Sequence, residues 1–301
     1  LPAHFIMKQG NFSVDQVLQA ELHLEGEPSS LRVSGLVEGS QGQLIADSFQ
    51  ARGFSFRLPV EIERNRVNIS SLKAQAEELV LPAGSQKLKL KDISVSGKAK
   101  LDYLNKAAEI NSLAVDVPRL GSISLTGEVG SKPQRKVTLA LRSQNLDIGN
   151  ILKYFPAFVP ETVTAWQPGG QLDLSVEIRN GPAAPRRYQV KGTCNLAKVA
   201  FHDSSGAIVS EELEPRLRIE ADVLSPDKAI PFSLQLDLAN GESLWRDVYF
   251  NWQSGPVRLE LKGTLEPQFG QVRDAAAAVS FPPLGEVRAR GSLGLVPNPR
   301  F

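Results

Sequence analysis

Three histidines and one cysteine are the residues of this sequence best suited to bond-making chemistry, and their spacing limits what they can do. His4, His23 and His202 lie far apart, and no two stand at a metal-ligand separation. His23 falls between Leu22 and Leu24 in an alternating stretch, which predicts a strand side chain turned to solvent. Cys194 cannot form an intrachain disulfide or a thiolate cluster by itself, and its only basic neighbours in sequence are Lys191 and Lys198. It reads as a small, half-buried strand residue. The acidic pairs Glu77-Glu78 and Glu211-Glu212 lie in polar stretches. General acid–base catalysis needs carboxylates that converge across a cleft, which adjacency in sequence does not provide. The expectation is therefore a protein that is not an enzyme and holds neither metal nor cofactor.

Binding chemistry is equally sparse. Lys87, Lys89 and Lys91 alternate with Leu88 and Leu90, placing three cations on one strand face. That face could touch anionic headgroups, but a solvated outer face, or lysines guarding a sheet edge, is the preferred reading. The sequons at Asn11 and Asn68 matter only in a eukaryotic secreted protein. Trp245 and Trp252 lie in "SLWRDVYFNW", where Trp245, Asp247, Tyr249 and Asn251 share one parity and Val248, Phe250 and Trp252 the other. With Trp166 these are too few for the aromatic girdles of an outer-membrane barrel.

Composition narrows the class. The 301 residues carry 34 basic and 33 acidic side chains, a net charge of +1 that gives no basic footprint for nucleic acid. Aromatic residues, at 7%, are too scarce for stacking platforms. Hydrophobic residues at 42% and charged residues at 22% match folded protein. No run of about 18 apolar residues is present to span a bilayer as a helix. The first residue is Leu1 and no signal-peptide pattern follows, so the chain is expected to be a piece of a longer protein.

The elements that would position any site are strands. Period-two alternation recurs at Leu31/Val33, Phe54/Phe56/Leu58, Leu88/Leu90, Ile123/Leu125 and Val137/Leu139/Leu141. It returns at Leu172/Leu174/Val176/Ile178, Leu217/Ile219, Phe232/Leu234/Leu236/Leu238 and Val257/Leu259/Leu261. Turn residues separate these runs, among them Asn180-Gly181-Pro182 and Asn240-Gly241. One segment differs: Ile148, Ile151, Leu152 and Phe155 make one face of a short helix, with Asp147 as N-cap and Pro156 as stop. Pro156, Pro160 and Pro168 then form an irregular bridge.

The halves on either side look related. "VPRLGSISLTGEVG" (117–130) aligns with "FPPLGEVRARGSLG" (281–294). "LRVSG" matches "YQVKG", and "ISVSG" matches "LELKG". The reading is two tandem copies of one β unit: a first repeat at 1–145, a helix and Pro-rich bridge at 146–168, and a second repeat at 169–301. Each copy is expected to close strands with an apolar-x-Gly signal, where Gly permits a tight turn or bulge.

So many one-sided strands need something against their apolar side. Two sheets could bury those sides on each other as a sandwich. Alternatively, one strongly curled sheet could leave its apolar side lining a trough, which in a soluble protein marks a binding site. Lipid tails suit such a trough, since they ask for a continuous aliphatic slot and no specific polar contact.

The succession of helix, prolines, glycine pair and alternating strand in "LDIGNILKYFPAFVPETVTAWQPGGQLDLSVEIRNG" resembles the AsmA-like superfamily of Gram-negative envelope proteins. The strands carrying "VSG", "LTG", "VKG" and "LKG" agree with it. That superfamily includes TamB-type and DUF3971-type proteins. The resemblance implies a mainly β fold, an extended and strongly curled antiparallel sheet forming a hydrophobic groove. It implies a periplasmic location, an inner-membrane anchor outside this segment, and neighbouring repeats of the same longer chain. It also implies phospholipid acyl chains as ligand, transport between inner and outer membranes, and an outer-membrane protein partner. Strand parity nominates the groove lining: Phe54, Phe56, Leu58, Ile123, Leu125, Leu139 and Leu141 in the first repeat. In the second it nominates Leu172, Leu174, Val176, Ile178, Leu217, Ile219, Leu234, Leu236, Leu238, Leu259 and Leu261. The competing expectation is a structural or adhesive all-β envelope protein with closed sandwich cores and no lipid.

Overall fold

The computed structural model describes residues 3–9, 12–27, 31–46, 49–83, 86–130, 136–154, 165–181, 184–203, 205–224, 228–267, 271–281 and 285–294. Strand makes up 83% of the structure, as nineteen strands of one antiparallel sheet that does not close on itself, with one short helix. Two compact units are present: Leu1–Arg135 with Asn150–Pro160, and Lys136–Gly149 with Glu161–Phe301.

The first unit is a meander. β1 (Ala3–Gln9), β2 (Phe12–Glu25), β3 (Arg32–Ala46) and β4 (Phe49–Glu63) lead to β5 (Arg66–Ala83), β6 (Gln86–Asp102), β7 (Ala107–Val117) and β8 (Gly121–Gly130). Each pairs antiparallel with the next in sequence. Short connections and β-branched, alternating strands make this the cheapest way to satisfy the backbone.

The second unit contains β9 (Lys136–Asp147) and, beyond α1 (Ile148–Tyr154), β10 (Gly169–Gly181) and β11 (Ala184–His202). β12 (Ile208–Leu213), β13 (Pro215–Val223), β14 (Ile230–Leu238), β15 (Glu242–Trp245) and β16 (Val248–Asn251) follow. β17 (Val257–Glu266), β18 (Gln271–Phe281) and β19 (Gly285–Gly294) complete it. The main ladder runs β9, β10, β11, β13, β14, β17, β18, β19. β11 is 19 residues long. Its first part pairs with β13, while its end at Val199–His202 pairs with β12 and opens a branch through β15 to β16.

Three sequence expectations are modified. β9, assigned by sequence to the repeat at 1–145, pairs with β10 and belongs to the second unit. The apolar-x-Gly glycines do not close strands: Gly35, Gly97, Gly192 and Gly263 all lie inside β3, β6, β11 and β17. A Cβ on Gly35 would stand 2.0 Å from the Glu21 carbonyl oxygen, and one on Gly263 would stand 2.6 Å from Val272 Cγ1. These glycines permit close approach of neighbouring strands, and Gly263 also sits within a bulge. Finally, the parity of "SLWRDVYFNW" is broken by a two-residue turn at Arg246-Asp247, so Trp245 shares a face with its partner Val248.

α1 covers the seven described residues Ile148–Tyr154. Ile151 and Tyr154 pack on Leu88, Leu90, Ile93, Val117 and Leu120, the buried core cluster of the first unit. Asn150 Nδ2 donates to the Arg119 carbonyl at 2.6 Å and fixes this end of the helix. The expected Phe155 contact and Pro156 stop lie outside the described residues. In the Lys-Leu alternation, Lys87, Lys89 and Lys91 are exposed while Leu88 and Leu90 enter that core.

Candidate functional site

Residues directly opposite on paired strands point to the same side of a sheet. In the second unit this rule generates one continuous apolar row. It runs Leu174, Cys194, Leu217, Leu236, Leu259, Val279 and Val287. The neighbouring row runs Leu141, Val176, Gly192, Ile219, Leu234, Leu261, Ala277 and Ala289. Leu139, Ile178, Val190, Ala221 and Phe232 begin a third. Leu172 lies between Leu146 and Leu196, and Leu238 between Pro215 and Val257. At about 4.8 Å per strand, the eight-strand row extends roughly 34 Å along the sheet.

The first unit has the same construction. One row runs Leu18, Gly39, Phe56, Ala74, Val95, Val115 and Ile123. Leu58 stands opposite Val37, and Leu125 opposite Leu113. Phe54 packs against Phe56 with ring centroids 5.8 Å apart. The eighteen nominated side chains therefore lie on the apolar faces of their own units.

None of the eighteen is buried; seventeen are half-buried, and Ile219 is 38% exposed. A closed core would leave such leucines almost dry.

The reverse face of the second unit is polar. Arg142, Ser175, Thr193, Arg218, Gln235, Glu260 and Arg288 lie on it. Its charges pair locally: Lys191 Nζ lies 3.0 Å from Glu220, and Asp237 bridges Arg258 at 2.7 Å and Arg218 at 3.6 Å. Partial burial raises the Asp237 pKa, but hydrogen bonds from Arg258 and Gln235 more than offset it, and the net shift is downward. A concavity of about 720 Å³ lies on this side, among Asn195, Arg216, Arg218, Asp237 and Arg258. Within it Asp237 holds Arg218 and Arg258, while Arg216 Nε donates to Asn195 Oδ1 at 2.9 Å.

Bulges hold the apolar residues in phase. At β9 and β10 the register shifts between Leu172 and Leu174, and Ser143 Oγ accepts a hydrogen bond from Leu174 N–H at 3.0 Å. Gln16 is 4% exposed and donates to the Phe54 carbonyl, lying over Gly39 and Gly42 where β3 and β4 shift register. These buried polar side chains service the backbone at irregularities and are not lining residues. The alternation-based nomination missed Val190, Leu196, Val279 and Val287. β18 reads Ala275 to Ala278, a run in which alternation is invisible, and the face emerges only through pairing.

Comparison of this chain with known proteins finds no matching family, no matching curated protein and no matching solved structure.

The reactive side chains remain scattered. His23 is exposed beside Glu21, and His202 is exposed with Nδ1 3.3 Å from the Asp203 carbonyl oxygen. The side chain of His4 lies outside the described residues. Cys194 sits in the apolar row between Leu174 and Leu217, where burial pushes its thiol pKa up. Glu77 lines a shallow concavity of about 310 Å³ together with Asp92, and Glu211 and Glu212 are exposed on β12. Among the described residues, no three His, Cys, Asp or Glu side chains converge as metal ligands. No helix among them is long and apolar enough to cross a membrane.

Proposed function

We propose that this chain is a periplasmic segment of an inner-membrane-anchored, bridge-like protein of the AsmA-like kind. It carries phospholipids between inner and outer membranes along its apolar face and so supports outer-membrane assembly. The observation that carries this reading is the uninterrupted apolar row across β10 to β19, with its side chains left half-exposed. Glycines on that side favour a curl toward it, since a Cβ on Gly192 would stand 2.7 Å from Ile219 Cγ2. Each unit then offers an apolar face of its own to a lipid tail.

Energetics suit conduction. An acyl chain with about 14 methylenes gains roughly 0.8 kcal/mol for each one leaving water, about 11 kcal/mol in all. Escape into water is slow, whereas a bilayer offers the tail the same environment. Exchange between membrane and groove is therefore close to neutral, and no catalytic group is required. The competing sandwich reading asks for a buried apolar face, and the exposure of Ile219 and Val287 counts against it.

The test is mass spectrometry of organic extracts from the purified, folded protein. Near-stoichiometric phospholipid is expected. A lipid-free protein that unfolds cooperatively would overturn the reading.

A further inference from the structure

The polar face of the second unit gathers cations around one carboxylate. Directly opposite partners on β11, β13, β14, β17 and β18 run Asn195, Arg216, Asp237, Arg258 and Ser280. Arg218 stands two residues along β13, on the same side. These six, with Glu214 and Asn240, line the concavity of about 720 Å³.

Three guanidinium groups therefore share it with two carboxylates, and both carboxylates are engaged. Glu214 accepts from Asn240 Nδ2. Asp237 Oδ1 accepts from Arg258 Nε at 2.7 Å, its Oδ2 accepts from Gln235 Nε2 at 2.8 Å, and Arg218 lies 3.6 Å away. Arg216 stands opposite Asp237, yet its Nε donates to Asn195 Oδ1 at 2.9 Å. Among the described residues Arg216 has no ion-pair partner. Arg216 and Arg258 are thus each anchored through Nε. Among the described residues this leaves the two terminal amino groups of each without an acceptor. Both side chains are exposed, so nothing has to move aside to reach them.

We infer that this concavity binds a phosphate monoester through the terminal amino groups of Arg216 and Arg258. The two residues flank β14, two strand spacings or about 9–10 Å apart at the backbone, and their long side chains can close on one anion from both sides. A carboxylate has two oxygens and satisfies one guanidinium fork. A phosphate monoester has three terminal oxygens and close to two negative charges, which suits two forks and a cationic surplus. Asn195 Nδ2 and the Ser280 hydroxyl supply neutral donors beside them. The concavity is larger than a phosphate, which leaves room for the organic remainder. Soluble phosphate esters and phosphatidic acid headgroups share this chemistry. The site lies opposite the apolar rows and does not rest on lipid carriage there.

The experiment is calorimetric titration of the whole chain with glycerol 3-phosphate, beside sedimentation with phosphatidylcholine vesicles with and without phosphatidic acid. Saturable binding is expected, and salt should weaken it. Arg216→Gln should lower affinity roughly tenfold or more, since it removes one charge-assisted fork. It should leave the urea midpoint nearly unchanged, because the residue makes no ion pair within the described chain. Arg288→Gln, on the same face but paired with Glu286 and outside the concavity, should keep affinity within about twofold. Vesicle binding that requires phosphatidic acid assigns the site to a lipid headgroup; calorimetric binding without vesicle binding assigns it to a soluble ester. Three results overturn the inference: no binding of either ligand, sulfate bound as tightly as the ester, or affinity unchanged by Arg216→Gln. Extractable phospholipid should be equal in all three proteins, so its loss with ester binding intact would count against the apolar face alone.

Discussion

Leu174→Glu combined with Leu236→Glu separates an open apolar face from a closed core. Both residues lie in one cross-strand row, and Leu236 is flanked there by Leu217 and Leu259. Both are only half-buried. In a closed core, each unpaired carboxylate would cost several kcal/mol, and two would consume most of a domain's ~5–15 kcal/mol of stability. On an open face the carboxylate reaches water, and the loss is cross-strand apolar contact, about 1 kcal/mol per site. The effect on a lipid tail is larger. A charge facing hydrocarbon costs about 3 kcal/mol, equivalent to roughly a hundredfold loss of occupancy. Urea unfolding followed by circular dichroism, and phospholipid per protein by mass spectrometry, read the two quantities separately. The expected variant unfolds cooperatively at a modestly lower midpoint and carries little lipid. Loss of the cooperative transition would refute the open face, and unchanged lipid content would refute its role as the carrier surface.

Three further outcomes rest on Gly35, Gly291 and Cys194. Gly35→Ala places a methyl 2.0 Å from the Glu21 carbonyl oxygen and should cost about 1–3 kcal/mol in urea unfolding. Gly291→Ala meets nothing within 4 Å and should change stability by less than about 0.5 kcal/mol. Burial raises the Cys194 pKa, so the folded state prefers the neutral thiol. Its contribution is complete below the unfolded thiol value of about 8.5 and is lost as pH rises through the higher folded value. The stability difference between wild type and Cys194→Ala should therefore be flat below about pH 8 and shift against the wild type above about pH 9. A pH-independent difference would mean that the thiol lies in water.

Alternation is a property of covalent geometry, since successive side chains on a strand must leave on opposite sides. It was therefore readable from residues such as Leu172, Leu174, Val176 and Ile178 without any knowledge of their partners, and it establishes the all-β class and the existence of apolar faces. The short helix was readable for the same reason: Ile148, Ile151 and Leu152 repeat at its period, and Ile151 meets the core. Parity over long distances was not readable. In β5 the inward residues are Val67 and Ile69, then Leu72, Ala74 and Ala76, then Leu79 and Leu81. Each change of phase is a local irregularity with no strong mark in composition, and only the partner strand reveals it. Pairing is likewise a long-range choice. Whether β9 joins β8 or β10, whether Gly97 ends a strand or lies within one, and whether β11 divides between two ladders depend on backbone groups far away in sequence. Local chemistry determines which side of a strand is apolar; the tertiary hydrogen-bond register decides which apolar sides meet, and whether anything covers them.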